Sequence, residues 1–334
     1  MPSKFVLGII LGSLSAILYT ASNICLRSSI AYDPMWVQCI KEIPILLLIG
    51  PWLIVRAVRG QRVFPPLPVL GILLFGALVT HFVGNTLFQW SLGVVGIALA
   101  VPILLGSIIV GGAVFARVFL GEGVTVRAAV AIVVLLVAIA LLGVAAYQTQ
   151  PVSKASQSFL EQAGWSEWSM VIGVGTTLIA GFAFSTLAVV IRYGVSGRSP
   201  ISTTMVAVGF VGVVGLGMLS YLRLGSAALA DTHLEDLNVM VAAGVCNAVA
   251  FLCLTKALQL ISVVHVNALG SSQCAMAAIA GVVLFHEPGS FAMYAGVLLT
   301  VFGLTLMHTK NTRDGSGEEW SDMAAEETGE KAAR

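Results

Sequence analysis

Apolar and polar positions fall in long blocks along this chain. From Phe5 to His308, apolar runs follow one another with short polar or Gly/Pro breaks between them. A helix needs roughly 20 apolar residues to cross a bilayer. Ten runs reach or approach that length: about 5–30, 35–57, 67–90, 93–119, 124–147, 168–192, 200–222, 237–257, 260–285 and 290–308. The breaks carry helix-stopping chemistry: Asp33-Pro34, the Gly60 to Pro68 stretch, Gly93, Gly121-Glu122-Gly123, Arg198-Ser199-Pro200 and His286-Glu287-Pro288-Gly289. The pattern predicts an all-α integral membrane protein with ten transmembrane helices.

The pattern also repeats. Glu122 and Glu287 lie 165 positions apart, each in a turn between two apolar runs. At the same offset Ser107 meets Ser272, Val101 meets Val266, Ala131 meets Gly296, Ala138 meets Gly303, and Arg27 meets Arg192. The predicted organisation is a first five-helix repeat over residues 1–147, a linker over 148–167, a second five-helix repeat over 168–309, and a tail over 310–334. The tail is acidic and polar, a composition that buries no core and predicts disorder. Trp165 and Trp168, at the end of the linker, suit a membrane–water interface.

Positive charge orients the spans. With both termini cytoplasmic, every Lys and Arg except Arg27, Lys41, Lys154 and Arg223 falls on the inner side. Cytoplasmic loops carry the excess of positive charge, so this orientation is the expected one. It makes the linker external. Five spans is an odd number, so the second repeat enters from the opposite face and the two repeats are inverted. Inverted repeats are a transporter architecture, with the substrate site near the midplane at their interface.

Polar side chains deep in a span mark candidate pathways, because lipid offers them no partner. His81, Asn85 and Gln89 are spaced four apart and share one helix face. Tyr19 and Asn23 stand one turn apart in the first span. Asn247 falls opposite His81 at an offset of 166. His265, Asn267, Ser272 and Gln273 enrich the ninth span. Each of these serves equally as a hydrogen-bonding contact between helices. Lys41 and Glu42 form an adjacent charged pair within two turns of the outer surface, a snorkelling pair or a gate. Glu122 and Glu287 are expected to bind backbone amides at helix starts, not substrate. Pro102 is expected to kink the fourth span. Gly209, Gly212, Gly215 and Gly217 in the seventh permit close packing within the chain or against a second copy, a possible homodimer.

Composition excludes several classes. Hydrophobic residues make up 58% of the 334 and charged ones 10%, whereas soluble domains carry about 25% charged residues. No basic stripe points to nucleic acid. The five cysteines form no C-x-x-C or Cys/His pair, so no metal site and no disulfide framework is expected. No Walker A or zinc-hydrolase motif is present, no cofactor is implied, and the histidines are scattered, so an enzyme is not expected. A membrane-embedded enzyme and a scaffold or sensor subunit without transport are the alternatives.

The stretch from Ala257 to Pro288, with AL-x-x-I-S, then ALGSSQ-x-x-x-A-x-x-G-x-x-LFHEP, and its weaker echo ending in LGE at Glu122, resembles the drug/metabolite transporter superfamily in its two-repeat EamA form. The resemblance covers nearly the whole chain up to about His308. It implies a permease of the bacterial inner (plasma) membrane that exports a small polar or amphipathic metabolite, for instance an amino acid, by alternating access. It implies a central cavity walled by spans one, three, four, six, eight and nine. A basic residue early in the second span is also frequent in the family, and Lys41 resembles it.

Overall fold

The computed structural model describes residues 4–61, 63–120, 126–147, 160–161, 164–190, 201–261 and 263–308. All regular structure among them is helical. The helices are α1 (Lys4–Ser28), α2 (Pro34–Val58), α3 (Leu67–Val95), α4 (Ile97–Leu120), α5 (Val126–Tyr147), α6 (Ser169–Val190), α7 (residues 201–230), α8 (Leu234–Leu260), α9 (Val263–Leu284) and α10 (Phe291–His308). Among the described residues, eight stretches are long and apolar enough to cross a membrane, and Leu269–Leu284 and Phe291–Leu306 are shorter apolar helices. The protein is a polytopic membrane protein. Glu122, Arg192, Arg198, most of the 148–167 linker and the 310–334 tail lie outside the described residues.

Most helix limits fall within a few residues of the sequence pattern. Asp33 caps α2, its carboxylate accepting from the amides of Met35 (2.9 Å) and Trp36 (3.2 Å), with Pro34 leading the helix. Two limits differ. The break expected at Gly93 lies at Gly96, which takes φ +78°. Gly93 stays inside α3, and only Gly96 adopts the left-handed backbone that turns the chain into α4. The seventh helix continues past residue 222 to Ala230, bending at Gly225 (φ +77°), because the alanines and leucine of Ala227 to Ala230 are good helix formers. Pro102 is accommodated within α4.

The two halves of the chain pack through small residues. Along α1 and α8, Gly8 meets Ile261, Gly12 meets Leu269 of α9, and Ser15 and Ser22 donate to the carbonyls of Ala250 (2.9 Å) and Ala243 (2.8 Å). Gly181 of α6 admits Ser107 of α4, and Ser185 donates to the Ile108 carbonyl (3.1 Å). Gly296 and Gly303 of α10 receive Leu142 and Leu135 of α5. Lipid tails give apolar helices no hydrophobic reason to associate, so close backbone approach and hydrogen bonds hold them together. The core formed this way includes Leu92, Ile97, Leu135, Leu142, Met240 and Met293, each at most 1% exposed.

Candidate functional site

α2 and α3 run antiparallel and face each other with polar side chains. Gln38, Lys41 and Glu42 occupy one face of α2 at i, i+3 and i+4. Across from them stand Gln89, Asn85 and His81 of α3. All six are buried, with Gln38 at 0% and His81 at 1% exposed. Gln38 Nε2 donates to Gln89 Oε1 (3.2 Å), and Gln89 Nε2 donates to the Leu26 carbonyl of α1 (2.9 Å). Lys41 Nζ pairs with Glu42 Oε1 (3.2 Å) and donates to Asn85 Oδ1 (3.2 Å). Asn85 Nδ2 lies 2.8 Å from His81 Nδ1, and His81 Nε2 lies 2.9 Å from the Val208 carbonyl of α7.

The network assigns the protons. Lys41 has only donors, so Asn85 turns its carbonyl oxygen toward it and its amide toward His81. Nδ1 of His81 therefore accepts, and Nε2 carries the hydrogen that it gives to Val208. That is a neutral imidazole. The same logic fixes Gln89 by the Leu26 carbonyl and Gln38 by Gln89. Among the described residues Gln38 Oε1 is then left without a partner, which is costly for a buried carbonyl.

Backbone irregularity coincides with this array. Residues Val79–Asn85 of α3 form a π-helical segment, and so do residues Gly212–Leu216 of α7. π-Helical turns occur frequently at functional sites. The two face each other, because a Cβ on Gly212 would lie 2.7 Å from Glu42 Cγ and 2.8 Å from His81 Cε1. Gly209, Gly215 and Gly217 likewise abut Ile45, Phe82 and Cys39. The α7 glycines thus serve packing within the chain. Lys41 does not snorkel: it is 7% exposed and ion-paired inside the bundle.

The other sequence candidates are spread more widely. Tyr19, Asn23 and Asn247 are half-buried and make no hydrogen bond among the described residues. Gln273 is half-buried, its amide lying over Gly270. Ser272 is exposed on the same stripe as Ile279 and Val283, and its hydroxyl donates to the Leu269 carbonyl of its own helix (2.6 Å). The side chains of His265 and Asn267 lie outside the described residues.

A second polar cluster closes one end of the bundle. Arg27 Nε donates to Glu287 Oε1 (2.9 Å), both residues 6% exposed, and the guanidinium lies 4.8 Å from the centroid of the Phe285 ring. Glu287 also accepts from the amides of Ile97 and Ala98 at the start of α4, 3.0 Å each. The expectation that Glu287 binds backbone amides holds, but the helix it caps is α4, far away in sequence. The geometry depends on His286, exposed at φ +53°, which turns the chain so that Glu287 points inward. Gly96 and Gly281 leave room for its carboxylate. At the same end Tyr32 donates to Asp236 (2.6 Å), Trp36 Nε1 donates to Thr232 (3.0 Å), and Arg223 reaches Asp33 (3.4 Å). The hydrogen bond to Asp236 pushes the Tyr32 hydroxyl above the ordinary phenol pKa, with burial adding to it.

Sequence reasoning missed Gln38 and the pairing of Arg27 with Glu287. The signal for Gln38 was its spacing from Lys41 and Glu42. The signal for the pair was that both residues were landmarks of the internal repeat.

Residues 171–309 match the EamA-like transporter family. One solved structure, described only as a crystal structure of a protein, shares the fold with a TM-score of 0.56 at 14% identity, over 90% of this chain and 96% of that one. No curated protein matches the chain.

Proposed function

We propose that this chain, whose residues 171–309 carry the EamA-like unit, is a secondary transporter. It moves a small polar or amphipathic metabolite out of the cytoplasm by alternating access between two inverted five-helix repeats. The observation that carries this reading is the buried polar face of α2 and α3, which meets α7 of the other half through Val208 and Gly212. Six polar side chains inside an apolar bundle are costly to bury. A substrate route at the interface of the halves accounts for them.

Helix pairing supports the inverted repeat. Exchanging the halves turns α1 into α6, α3 into α8 and α4 into α9. The chain packs α1 on α8 and α3 on α6, and it packs α4 on α6 and α1 on α9, as such an exchange requires. With both termini in the cytoplasm of a bacterial inner membrane, the Arg27–Glu287 end is external. The substrate then enters from the cytoplasm toward His81 and Asn247 at mid-depth and passes Asn85, Tyr19, Gln89 and Asn23 toward the external end. His265, Asn267 and Gln273 of α9 contribute from the second repeat, and Lys41 and Glu42 act at the gate.

Purified protein in liposomes loaded with radiolabelled amino acids, nucleosides, sugars or polyamines tests the reading. Efflux of one class is expected, with Asn85→Ala and Asn267→Ala slowing it. Absence of flux for every class sinks the transporter reading. Flux untouched by both variants sinks the assigned route.

A further inference from the structure

α2 ends in a turn that folds the chain back on its own last residues. Gly60 takes φ +75°, its amide donates to the Ala57 carbonyl (3.0 Å), and the Gln61 amide donates to the Arg56 carbonyl (3.2 Å). This pair of bonds is the helix end that a left-handed glycine permits. It carries the Gln61 side chain over Arg56, whose Nε donates to Gln61 Oε1. One turn earlier stands Trp52, and the Arg56 guanidinium lies 4.8 Å from the centroid of its ring. We propose that Trp52, Arg56, Arg59 and Gln61 form a binding site for the headgroup of an anionic phospholipid, with the two guanidinium groups on its phosphate and its acyl chains along α2. The site goes beyond the transport reading and stands without it.

The clamp on Arg56 leaves its outer edge free. Trp52 takes the face of the guanidinium and Gln61 takes Nε, while the terminal nitrogens have no hydrogen bond or ion pair among the described residues. Arg59 is exposed beside it, one turn on. The chain supplies little to balance them: no Asp or Glu occurs between Glu42 and Glu122. A guanidinium is planar, and its fork of donors matches two oxygens of a phosphate. An arginine that only marks the cytoplasmic side of a membrane protein needs charge, not a fixed orientation.

The surroundings favour a lipid over a soluble phosphate. Leu48, Trp52 and Val55 are 52%, 48% and 47% exposed and lead along one face of α2 to Arg59. In a membrane-spanning helix such a stripe lies against acyl chains. Asp33 and Arg56 are 23 positions apart, about 35 Å of helix at 1.5 Å per residue. The hydrocarbon core is about 30 Å thick, so a span that begins at Asp33 brings Arg56 to the headgroups and Trp52 to the interface where indole rings collect. The turn is also held in place: the Thr203 hydroxyl of α7 donates to the Val63 carbonyl (2.7 Å).

The test titrates the purified full chain in detergent with phosphatidylglycerol and with phosphatidylcholine of the same acyl chains, bound lipid being counted by native mass spectrometry. Wild type is expected to prefer phosphatidylglycerol by roughly 25-fold, about fivefold for each arginine on the phosphate, with the preference falling as salt rises. Arg56→Gln with Arg59→Gln is expected to bind both lipids alike. Gln61→Ala removes no charge and is expected to lose part of the preference through the orientation of Arg56. Arg223→Gln, beside Asp33 at the other end of α2, is expected to keep it. The readout is the ratio of two lipids within one variant, which a general loss of folded protein leaves unchanged. Equal binding by wild type overturns the proposal, as does a preference that survives the double variant. A loss shared by Arg223→Gln overturns it in favour of overall charge. Displacement of phosphatidylglycerol by an equal concentration of inorganic phosphate overturns it in favour of a soluble anion. Flux in liposomes is read separately, so lipid preference without flux removes only the transport reading, and flux without lipid preference removes only this site.

Discussion

Arg27 and Glu287 stand 260 positions apart and meet in a bond of 2.9 Å that is 6% exposed on either side. The carboxylate closes two gaps at once. It neutralises the guanidinium that ends α1, and it takes the first two amides of α4, which no helical carbonyl can reach. Helices from both halves are thereby tied at one end of the bundle.

Breaking one side of that contact leaves a buried charge. Glu287→Ala is expected to destabilise by about 3–5 kcal/mol, the usual cost of orphaning a buried ion-pair partner. Glu287→Gln keeps an acceptor for the α4 amides and should cost less. Pairing Glu287→Gln with Arg27→Met removes the orphaned charge and is expected to recover part of the loss. Thermal unfolding in one detergent, read as this order of melting temperatures, checks it.

Asn85 is hydrogen-bonded to both Lys41 and His81 and joins them into one chain of bonds. Asn85→Leu takes an acceptor from Lys41 and a donor from His81, with an expected cost of about 1–3 kcal/mol for each partner left unsatisfied. His81→Leu breaks the same chain of bonds. The two changes together should therefore cost less than the sum of the singles, by roughly 0.5–3 kcal/mol. A double-mutant cycle measured by denaturation gives the coupling, and strict additivity would show that the residues do not act as one network.

Gly212 is a matter of space. A methyl group there would sit 2.7 Å from Glu42 Cγ and 2.8 Å from His81 Cε1. Gly212→Ala should cost about 1–3 kcal/mol, as overpacking does. Gly112 of α4 has no atom within 4 Å of an added Cβ. Gly112→Ala is expected to be neutral or to gain up to about 1 kcal/mol from helix propensity. Opposite signs in paired melting curves are the outcome to look for.

Tyr32 lies between α1 and α2, and its hydroxyl donates to Asp236. That bond requires the proton, so the folded state holds the phenol pKa above its unfolded value. The stabilisation is complete below the unfolded value near 10 and is lost as pH rises through the folded one. Wild type should melt higher than Tyr32→Phe at neutral pH, with the difference shrinking above about pH 10. A constant difference across that range would mean that the hydroxyl does not contribute through its proton.

The polar stripe of α3 was legible because a helix repeats every 3.6 residues, so His81, Asn85 and Gln89 had to share a face. The Glu landmarks were legible because lipid leaves few charges in such a chain. Gln38 escaped notice because a lone amide near a span end is ordinary, and only its position opposite Gln89 gives it a role. Lys41 and Glu42 read as an interfacial pair because their distance from the helix start says nothing about what covers them.

By itself, the sequence determined the all-helical, membrane-spanning character, because hydrocarbon-length apolar runs must satisfy their backbone internally and do so as helices. It also placed most helix ends among the described residues, through Asp33, Pro34 and Pro288. Tertiary structure decided which helix Glu287 caps, which amide faces Lys41, and which glycines admit a neighbour. Those outcomes depend on residues as many as 260 positions apart, brought together by packing that has no period along the chain.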